Sequence, residues 1–356
     1  MPAATLAERP IRRNQISDYT ELAKIVREKG LLNRRVGWYF ARIALLAGLF
    51  AVPTVLLVTL GHSWWQLAVA AVFGILVTQV AFLSHDAAHR QVFAAGKHNE
   101  WFSRIVGCLV VGLSYRWWMN KHSRHHANPN QVGKDGDIEA GALVFTADEA
   151  RERTGLAGWL VRRQGWFFFP LLTLAGIDLH ITAVRTLLSP DRGKHRNLEL
   201  ALLAIRLLAF PLLVLWILGI PLGLAFIAVQ LVTFGVYMGA SFAPNHKGMP
   251  IVPPTADIDF LRRQVLMSRN IRGRGMGVAM GGLNYQIEHH LFPSMPSGNL
   301  RLARPIVQRY CAERGISYTE TTLVHSYAIV VRYLNRVGLG HSDPFECPIT
   351  AQFRSR

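Results

Sequence analysis

The sequence IALLAGLFAVPTVLLVTL at residues 43–60 is followed, after Gly61-His62-Ser63, by WWQLAVAAVFGILVTQVAFL at residues 64–83. Neither stretch contains a charged residue, and each is long enough to cross about 30 Å of hydrocarbon as an α-helix. Because so few residues separate them, the two stretches predict a transmembrane hairpin. Arg42 precedes the first stretch, where its long side chain can reach the membrane surface.

A second uncharged block covers residues 207–244 and is interrupted at Gly219-Ile220-Pro221. It predicts a second hairpin, with spans at about 199–218 and 222–242, beside first-hairpin spans at about 40–60 and 64–84. Arg206 falls inside the third span, so its charge must be paired or must reach the surface.

Composition agrees with a membrane protein that has one basic side. Of 356 residues, 51% are hydrophobic, and 39 Lys+Arg against 22 Asp+Glu leave a net charge of +17. Such a charge can indicate nucleic-acid binding, but the connections inside the two hairpins carry no Lys or Arg, whereas the other segments do. This positive-inside asymmetry predicts an integral membrane protein (in the cell membrane, if bacterial) with both termini in the cytosol and no nucleic-acid partner. The three cysteines form no CxxC motif, which excludes a zinc ribbon or a disulfide scaffold.

The predicted architecture is therefore all-α, with four transmembrane helices in two hairpins and a helical cytosolic cap. Residues 1–37 form a basic cytosolic segment without the features of a secretory signal. Residues 84–198 and 245–356 form the cytosolic blocks. Within the first block, the apolar stretch 166–177 is about 12 residues long, which favours an interfacial or buried helix over a crossing.

Histidines are concentrated beside the predicted span ends. The motifs are HDAAH at residues 85–89, HSRHH at 122–126 and QIEHH at 286–290, and His246 follows the fourth span. Spacings of three and four residues place imidazoles on one helix face. A single such pair is usually structural, but three clusters on one side of the membrane predict a metal site in the cytosolic cap. The predicted ligands are His85, His89, His122, His125, His126, His246, His289 and His290.

Ligand number indicates two metal ions. Eight imidazoles, with Gln286 as a less certain addition, are too many for one ion and suit two ions with four or five ligands each. Imidazole binds Fe, Cu, Zn and Ni alike, so ligand type leaves the metal open. Asp86, Asp137 and Glu288 can hold the second ring nitrogens, although each can equally be a helix cap or a surface carboxylate. His180 is either such a partner or structural, and the other histidines, including His341, are assigned to solvent or to structural contacts.

The three motifs resemble the histidine boxes of integral-membrane fatty-acid desaturases. The resemblance continues through HHANPN at 125–130, DGD at 135–137 and GGLNY at 281–285, and covers roughly residues 35–310. It implies a desaturase domain at 38–310, a cytosolic C-terminal segment at 311–356, and two non-haem irons that use O2 as co-substrate. The box histidines are then the iron ligands, and His246 matches an additional histidine found after the fourth span of that family.

Details of the boxes indicate a branch of that family. The leading Gln286 is typical of front-end and some acyl-lipid desaturases, whereas the HxxxH of the first box differs from the H-x4-H of animal acyl-CoA enzymes. No HPGG haem motif of a fused cytochrome b5 domain occurs. We therefore expect electrons from a separate ferredoxin or reductase, with cytochrome b5 less favoured.

The resemblance implies O2-dependent insertion of a double bond into a fatty acyl chain carried by CoA, a carrier protein or a membrane lipid. The alternatives are a di-iron hydroxylase of an alkane, carotenoid or lipid, and a metal transporter or sensor, which is disfavoured because the spans hold no line of polar residues at mid-membrane. Aromatic residues near the boxes are candidate walls of an acyl tunnel, or interfacial anchors. They are Tyr115, Trp117, Trp118 and Phe292. Five arginines before the third box are candidate contacts for a phosphorylated group, or a positive-inside flank: Arg262, Arg263, Arg269, Arg272 and Arg274.

Overall fold

A computed structural model describes residues 17–191 and 193–340 of the chain. Predictions for residues 1–16 and 341–356, His341 among them, lie outside the described residues. Within the described ranges the chain is mostly helical, as predicted. Two short strands, β1 (Asn270–Arg272) and β2 (Glu320–Thr322), pair in parallel with Asn270 opposite Glu320.

The helices are α1 (Asp18–Glu28), α2 (Val36–Thr59), α3 (Gln66–Ala88), α4 (Gly96–Val106), α5 (Tyr115–Ala127), α6 (Ala147–Glu152), α7 (Gly155–Val161), α8 (Gln164–Leu188), α9 (Arg196–Ala204), α10 (Phe210–Leu218), α11 (Ile220–His246), α12 (Phe260–Leu266), α13 (Met276–Ala279), α14 (Gln286–Leu291), α15 (Ser297–Glu313) and α16 (Leu323–Gly338). A π-helical turn at Gly107–Val111 extends α4, and another at Ile205–Ala209 joins α9 to α10.

Five helical segments of the described chain are long and apolar enough to cross a membrane. Four of them contain the predicted spans: α2, α3, the continuous α9–α10 unit and α11. The long uncharged stretch within each of them accounts for its length and its apolar surface. The fifth is α8. Because it is also long and apolar enough, helix length alone does not fix the number of membrane crossings.

Helix α8 corrects one expectation. The apolar stretch 166–177, about 12 residues long, predicts an interfacial or buried helix rather than a crossing, but it belongs to a helix of 25 residues that is long and apolar enough to cross a membrane. Asp178 and Arg185 interrupt the apolar run, but a helix is held by main-chain hydrogen bonds and continues past charged side chains. The apolar run therefore underestimated the helix.

Small residues let α8 and α11 approach closely. A Cβ atom on Gly235 would lie 2.5 Å from the main-chain nitrogen of Gly176, and one on Gly176 would lie 2.6 Å from the carbonyl oxygen of Leu231. Only hydrogen fits at these positions, so the two backbones pack directly against each other, as small residues permit between apolar helices.

Arg206 is buried and hydrogen-bonded to neutral groups within the protein. Its Nε donates to the carbonyl oxygen of Val110 at 2.8 Å, and a terminal nitrogen donates to Gln230 at 3.3 Å. The guanidinium also lies over the ring of Phe210. The two π-helical turns thus meet through this arginine, whose guanidinium is held inside the protein by neutral partners rather than at the surface.

A buried polar network joins α2 to α3 and α15. One oxygen of Asp86 accepts hydrogen bonds from Arg42 at 3.0 Å, Tyr39 at 3.2 Å and Ser297 at 2.8 Å. The hydroxyl of Tyr39 also donates to Gln91 at 2.7 Å. These contacts hold the end of α3, which carries the first histidine motif, against the start of α15, which follows the third motif.

Candidate metal centre

The eight predicted ligands converge from four helices into two neighbouring groups. Those groups come from the end of α3, from α5, from the end of α11 and from α14. The five-imidazole group consists of His85, His89, His122, His126 and His289, and the three-imidazole group consists of His125, His246 and His290. In each group, every residue offers one ring nitrogen, and these nitrogens all lie within 4.8 Å of one another. The structure therefore brings together all eight predicted imidazoles.

Adjacent histidines separate the two groups. Successive residues on a helix point about 100° apart, so the rings of a His-His pair diverge. On α5, His125 belongs to the three-imidazole group and His126 to the five-imidazole group. On α14, His290 belongs to the three-imidazole group and His289 to the five-imidazole group. Each pair thus supplies one ring to each group. Ser114 begins α5 by accepting a hydrogen bond from the main-chain nitrogen of Trp117.

Distances within the five-imidazole group suit ligands of one ion. Nε2 of His122 lies 3.0 Å from Nε2 of His85, 2.8 Å from that of His89 and 3.0 Å from that of His126. Two nitrogens bound ~2.0–2.1 Å from one ion at a right angle are ~2.9 Å apart. In both groups, buried ring nitrogens such as Nε2 of His289 and of His290 have no hydrogen-bond partner. Unpartnered buried nitrogens facing one another are expected at a metal site, so the residues fit bound ions.

Each imidazole of the three-imidazole group has a partner for its other nitrogen. Nδ1 of His125 lies 3.0 Å from a carboxylate oxygen of Asp135, Nδ1 of His246 lies 3.0 Å from the carbonyl oxygen of Met267, and Nδ1 of His290 lies 2.9 Å from Oε1 of Gln264. A proton on Nδ1 donates in each contact, which leaves the lone pair on Nε2. Such partners fix the tautomer and the ring orientation of a metal ligand.

Burial keeps most of these rings neutral. Desolvation lowers the pKa of His122, His126, His289 and His290 well below the usual histidine value, and neighbouring imidazoles lower it further. His125 differs: burial alone would lower its pKa, but the carboxylates of Asp137 and Asp135 outweigh burial and raise it. Neutral imidazoles offer lone pairs to a cation, and an imidazole with a carboxylate partner is a more basic ligand.

The three predicted carboxylate partners have different surroundings. Asp86 lies 3.6 Å from Nδ1 of His85, but its shortest contacts are with Arg42 and Ser297. Asp137 lies 3.5 Å from Nδ1 of His125 and pairs with Lys121 at 2.9 Å. The side-chain oxygens of Glu288 accept hydrogen bonds from Tyr318 and Asn270.

Sequence reasoning missed the strongest carboxylate partner. Asp135 is fully buried and lies nearer His125 than Asp137 does. It belongs to the DGD motif noted in the sequence, so that motif was the available signal, and only the second of its two carboxylates was named as a partner. Gln264 and the carbonyl of Met267 come from the α12 region, and the sequence carries no signal for either.

Gln286 lies at the three-imidazole group. Its Nε2 is 2.9 Å from Nε2 of His246, and its Oε1 is 3.0 Å from Nδ2 of Asn245. His180 is far from this arrangement: its Nε2 bonds the carbonyl oxygen of Val111 at 3.1 Å and its ring stacks on Phe234. The structural alternative for His180 is the one supported.

A cavity of about 180 Å³ adjoins both groups. Its walls combine ligands such as His85, His122 and His246 with apolar residues, including Leu172, Phe242 and Leu283. A shaped space with apolar walls beside a candidate metal site is what a site for an apolar substrate requires.

The candidate tunnel aromatics lie in three different surroundings. Trp118 stacks on His122 with ring centres 4.5 Å apart, and with Tyr115 it lines a small cavity. Trp117 is buried in the core around α3. Phe292 packs instead against Tyr19 of α1.

Three of the five arginines before the third box are engaged inside the protein. Arg262 pairs with Asp18 and Asp259, Arg263 donates to Asn128, and Arg269 is buried and donates to the carbonyl oxygens of Pro244 and Lys247. Arg272 and Arg274 are exposed.

Comparisons with known proteins place this geometry in context. A family model described as fatty acid desaturase matches residues 62–322. The chain is similar to a Delta(8)-fatty-acid desaturase of Helianthus annuus, at 25% identity over 92% of this chain and 74% of that protein. It is also similar to a Delta(5) fatty acid desaturase of Caenorhabditis elegans, at 29% identity over 84% and 69%. An acyl-lipid (9-3)-desaturase of Physcomitrium patens is 27% identical over 90% of this chain and 63% of that protein.

Proposed function

The chain belongs to the fatty acid desaturase family, and from that premise we propose that it inserts a double bond into a fatty acyl chain with O2 at two iron ions. The observation that carries the proposal is the convergence of eight buried or half-buried imidazoles into two adjoining groups. We propose that the five-imidazole group holds one iron, that the three-imidazole group holds the other, and that Asp135 orients His125.

Two bound irons supply the reduction of O2 and the removal of hydrogen from an unactivated methylene. The protein binds the ions, positions one C–C bond and keeps water away. Neutral imidazoles bind without competing protons, and the partners of His125, His246 and His290 hold their rings in one orientation. Leu172, Phe242 and Leu283 offer apolar walls to a methylene chain in the cavity beside both groups.

The membrane arrangement is part of the same proposal. We propose an integral membrane protein whose imidazole groups face the cytosol, because they lie at the ends of α3 and α11 opposite the uncharged hairpin connections. An acyl chain can then enter from the lipid phase, while electrons arrive from a soluble or membrane-bound redox partner such as a ferredoxin or a reductase. The relatives carry names with different double-bond positions, so the proposal names the acyl-lipid or front-end class and no position.

Expression in a desaturase-deficient host tests the proposal. New double bonds located by mass spectrometry, together with about two irons per purified chain, are expected. His125→Ala is expected to abolish the product while the protein still inserts in the membrane. An alcohol as the sole product would establish hydroxylation instead, and a purified chain without iron would overturn the metal assignment.

A further inference from the structure

The amide of Gln286 lies between the three-imidazole group and Asn245, and its orientation decides its chemistry. Gln286 and Asn245 are both buried. Nε2 of Gln286 is 2.9 Å from Nε2 of His246, whereas Oε1 of Gln286 is 3.0 Å from Nδ2 of Asn245. An amide oxygen can bind a cation, but an amide NH2 can only donate hydrogen bonds.

Main-chain carbonyls set the orientation of Asn245. Its Nδ2 lies 3.0 Å from the carbonyl oxygen of Leu283 and 3.4 Å from that of Ser241. Carbonyl oxygens only accept, so the end of Asn245 that faces them must be its NH2. A reversed Asn245 would place Oδ1 against both carbonyl oxygens and lose these bonds.

The orientation of Gln286 follows from that of Asn245. An NH2 of Gln286 turned toward Asn245 would place donor against donor, so the end of Gln286 that faces Asn245 is the acceptor Oε1. The NH2 of Gln286 is then directed at His246. Nδ1 of His246 donates to the carbonyl oxygen of Met267, so its Nε2 carries the lone pair. A hydrogen-bond donor therefore faces the side of His246 that would bind a cation.

We infer that Gln286 is not a metal ligand: Asn245 holds its amide with the NH2 toward the three-imidazole group, so an ion there has three imidazoles and a side open to an oxygen donor such as water. The inference rests on the proposed function, because it requires an ion at this group. Gln286 then selects a ligand that can accept a hydrogen bond, and Asn245 is the positioning residue for Gln286. The two ions are unequal, since the other group supplies five imidazoles.

Metal binding by purified full-length variants tests the role of Gln286. Iron per chain is measured directly, and metal-free protein is titrated with Co²⁺, whose visible absorption reports coordination. Gln286→Ala is expected to keep both ions per chain, with affinity lowered by no more than about tenfold, the smaller effect typical of removing a partner of a ligand. Gln286→His is expected to bind more tightly, because it adds a ligand.

Gln66→Ala is the matched control. Gln66 is also fully buried, but it lies at the opposite end of α3 from the histidines and donates to the carbonyl oxygen of Leu57 in α2. Loss of one ion in Gln286→Ala, equal to the loss in His246→Ala, would show that Gln286 ligates and would overturn the inference. Absence of iron from the unmodified chain would instead overturn the proposed function.

A double-substitution experiment tests the role of Asn245. Asn245→Leu removes the donor, so the Gln286 amide can turn its oxygen toward the ion. Affinity for the more weakly held ion is expected to rise in Asn245→Leu, and the rise is expected to disappear when Gln286→Ala is combined with it. If Asn245 were purely structural, Asn245→Leu would change the metal affinity equally with Gln or with Ala at position 286. That result would reject the positioning role.

Discussion

Nδ1 of His125 lies 3.0 Å from the carboxylate of Asp135, and the same carboxylate accepts the main-chain N–H of Asn130 at 2.7 Å. One buried acid thus ties an imidazole of the three-imidazole group to the loop that follows α5. The carboxylate fixes the ring orientation and increases its basicity as a ligand.

Asp135→Asn is expected to weaken metal binding. The amide can still occupy the space, but it loses the charge that holds His125, and the loss of such a partner lowers metal affinity by about 10–100-fold. Retention of iron during dialysis against a chelator measures the effect. Asp259→Asn is the control, since Asp259 caps α12 and pairs with Arg262. Equal iron retention by the two variants would contradict this role of Asp135.

Single histidine substitutions are expected to remove one ion at a time. His246→Ala leaves the three-imidazole group with two rings. It is expected to reduce iron from about two ions to about one per chain, because the ion at this group has fewer imidazole ligands than the other ion. Metal analysis of purified protein checks the result. His180→Ala is the control, because His180 bonds Val111 rather than either group, and it is expected to keep both ions. Loss of all iron in His246→Ala would mean that the ions bind only together.

Asp86→Ala is expected to destabilise the protein by about 3–5 kcal/mol, since it leaves the part-buried Arg42 without its partner. It also removes the acceptor for Tyr39 and Ser297. Thermal unfolding in detergent measures the change. Lys24→Ala removes an exposed pair with Glu28 and is expected to cost ~1 kcal/mol or less. A similar small change in both variants would show that the Asp86 network contributes little stability.

Gly235→Leu is expected to destabilise the contact between α8 and α11 by about 1–3 kcal/mol or more, because overpacking forces backbones apart. The first added carbon would already lie 2.5 Å from the nitrogen of Gly176. The midpoint of thermal unfolding checks this expectation. Gly48→Leu is the control, because a Cβ at Gly48 meets nothing within 4 Å. An unchanged midpoint for Gly235→Leu would require α8 to pack elsewhere.

Local patterns in the sequence predicted the apolar helices and the histidine clusters beside them. Uncharged runs located α2, α3, α10 and most of α11, because apolar length is the property that a membrane span needs. A spacing of four residues brought His85 together with His89, and His122 together with His126, in the five-imidazole group. The misjudged length of α8 shows the limit of this reasoning, since hydropathy marks apolar surface and main-chain hydrogen bonds determine where a helix ends.

The sequence by itself determined that this is a helical protein with imidazole clusters beside its apolar helices. Only the tertiary structure decided how eight rings divide into five and three, and that Asp135 rather than Asp137 is the nearest acid to His125. It also decided that Arg206 is hydrogen-bonded inside the protein. The reason is physical: helix periodicity is a property of neighbours along the chain, whereas a ring nitrogen takes whichever acceptor the fold brings to it. His290 and Gln264 meet at 2.9 Å from separate helices, and no local pattern connects them.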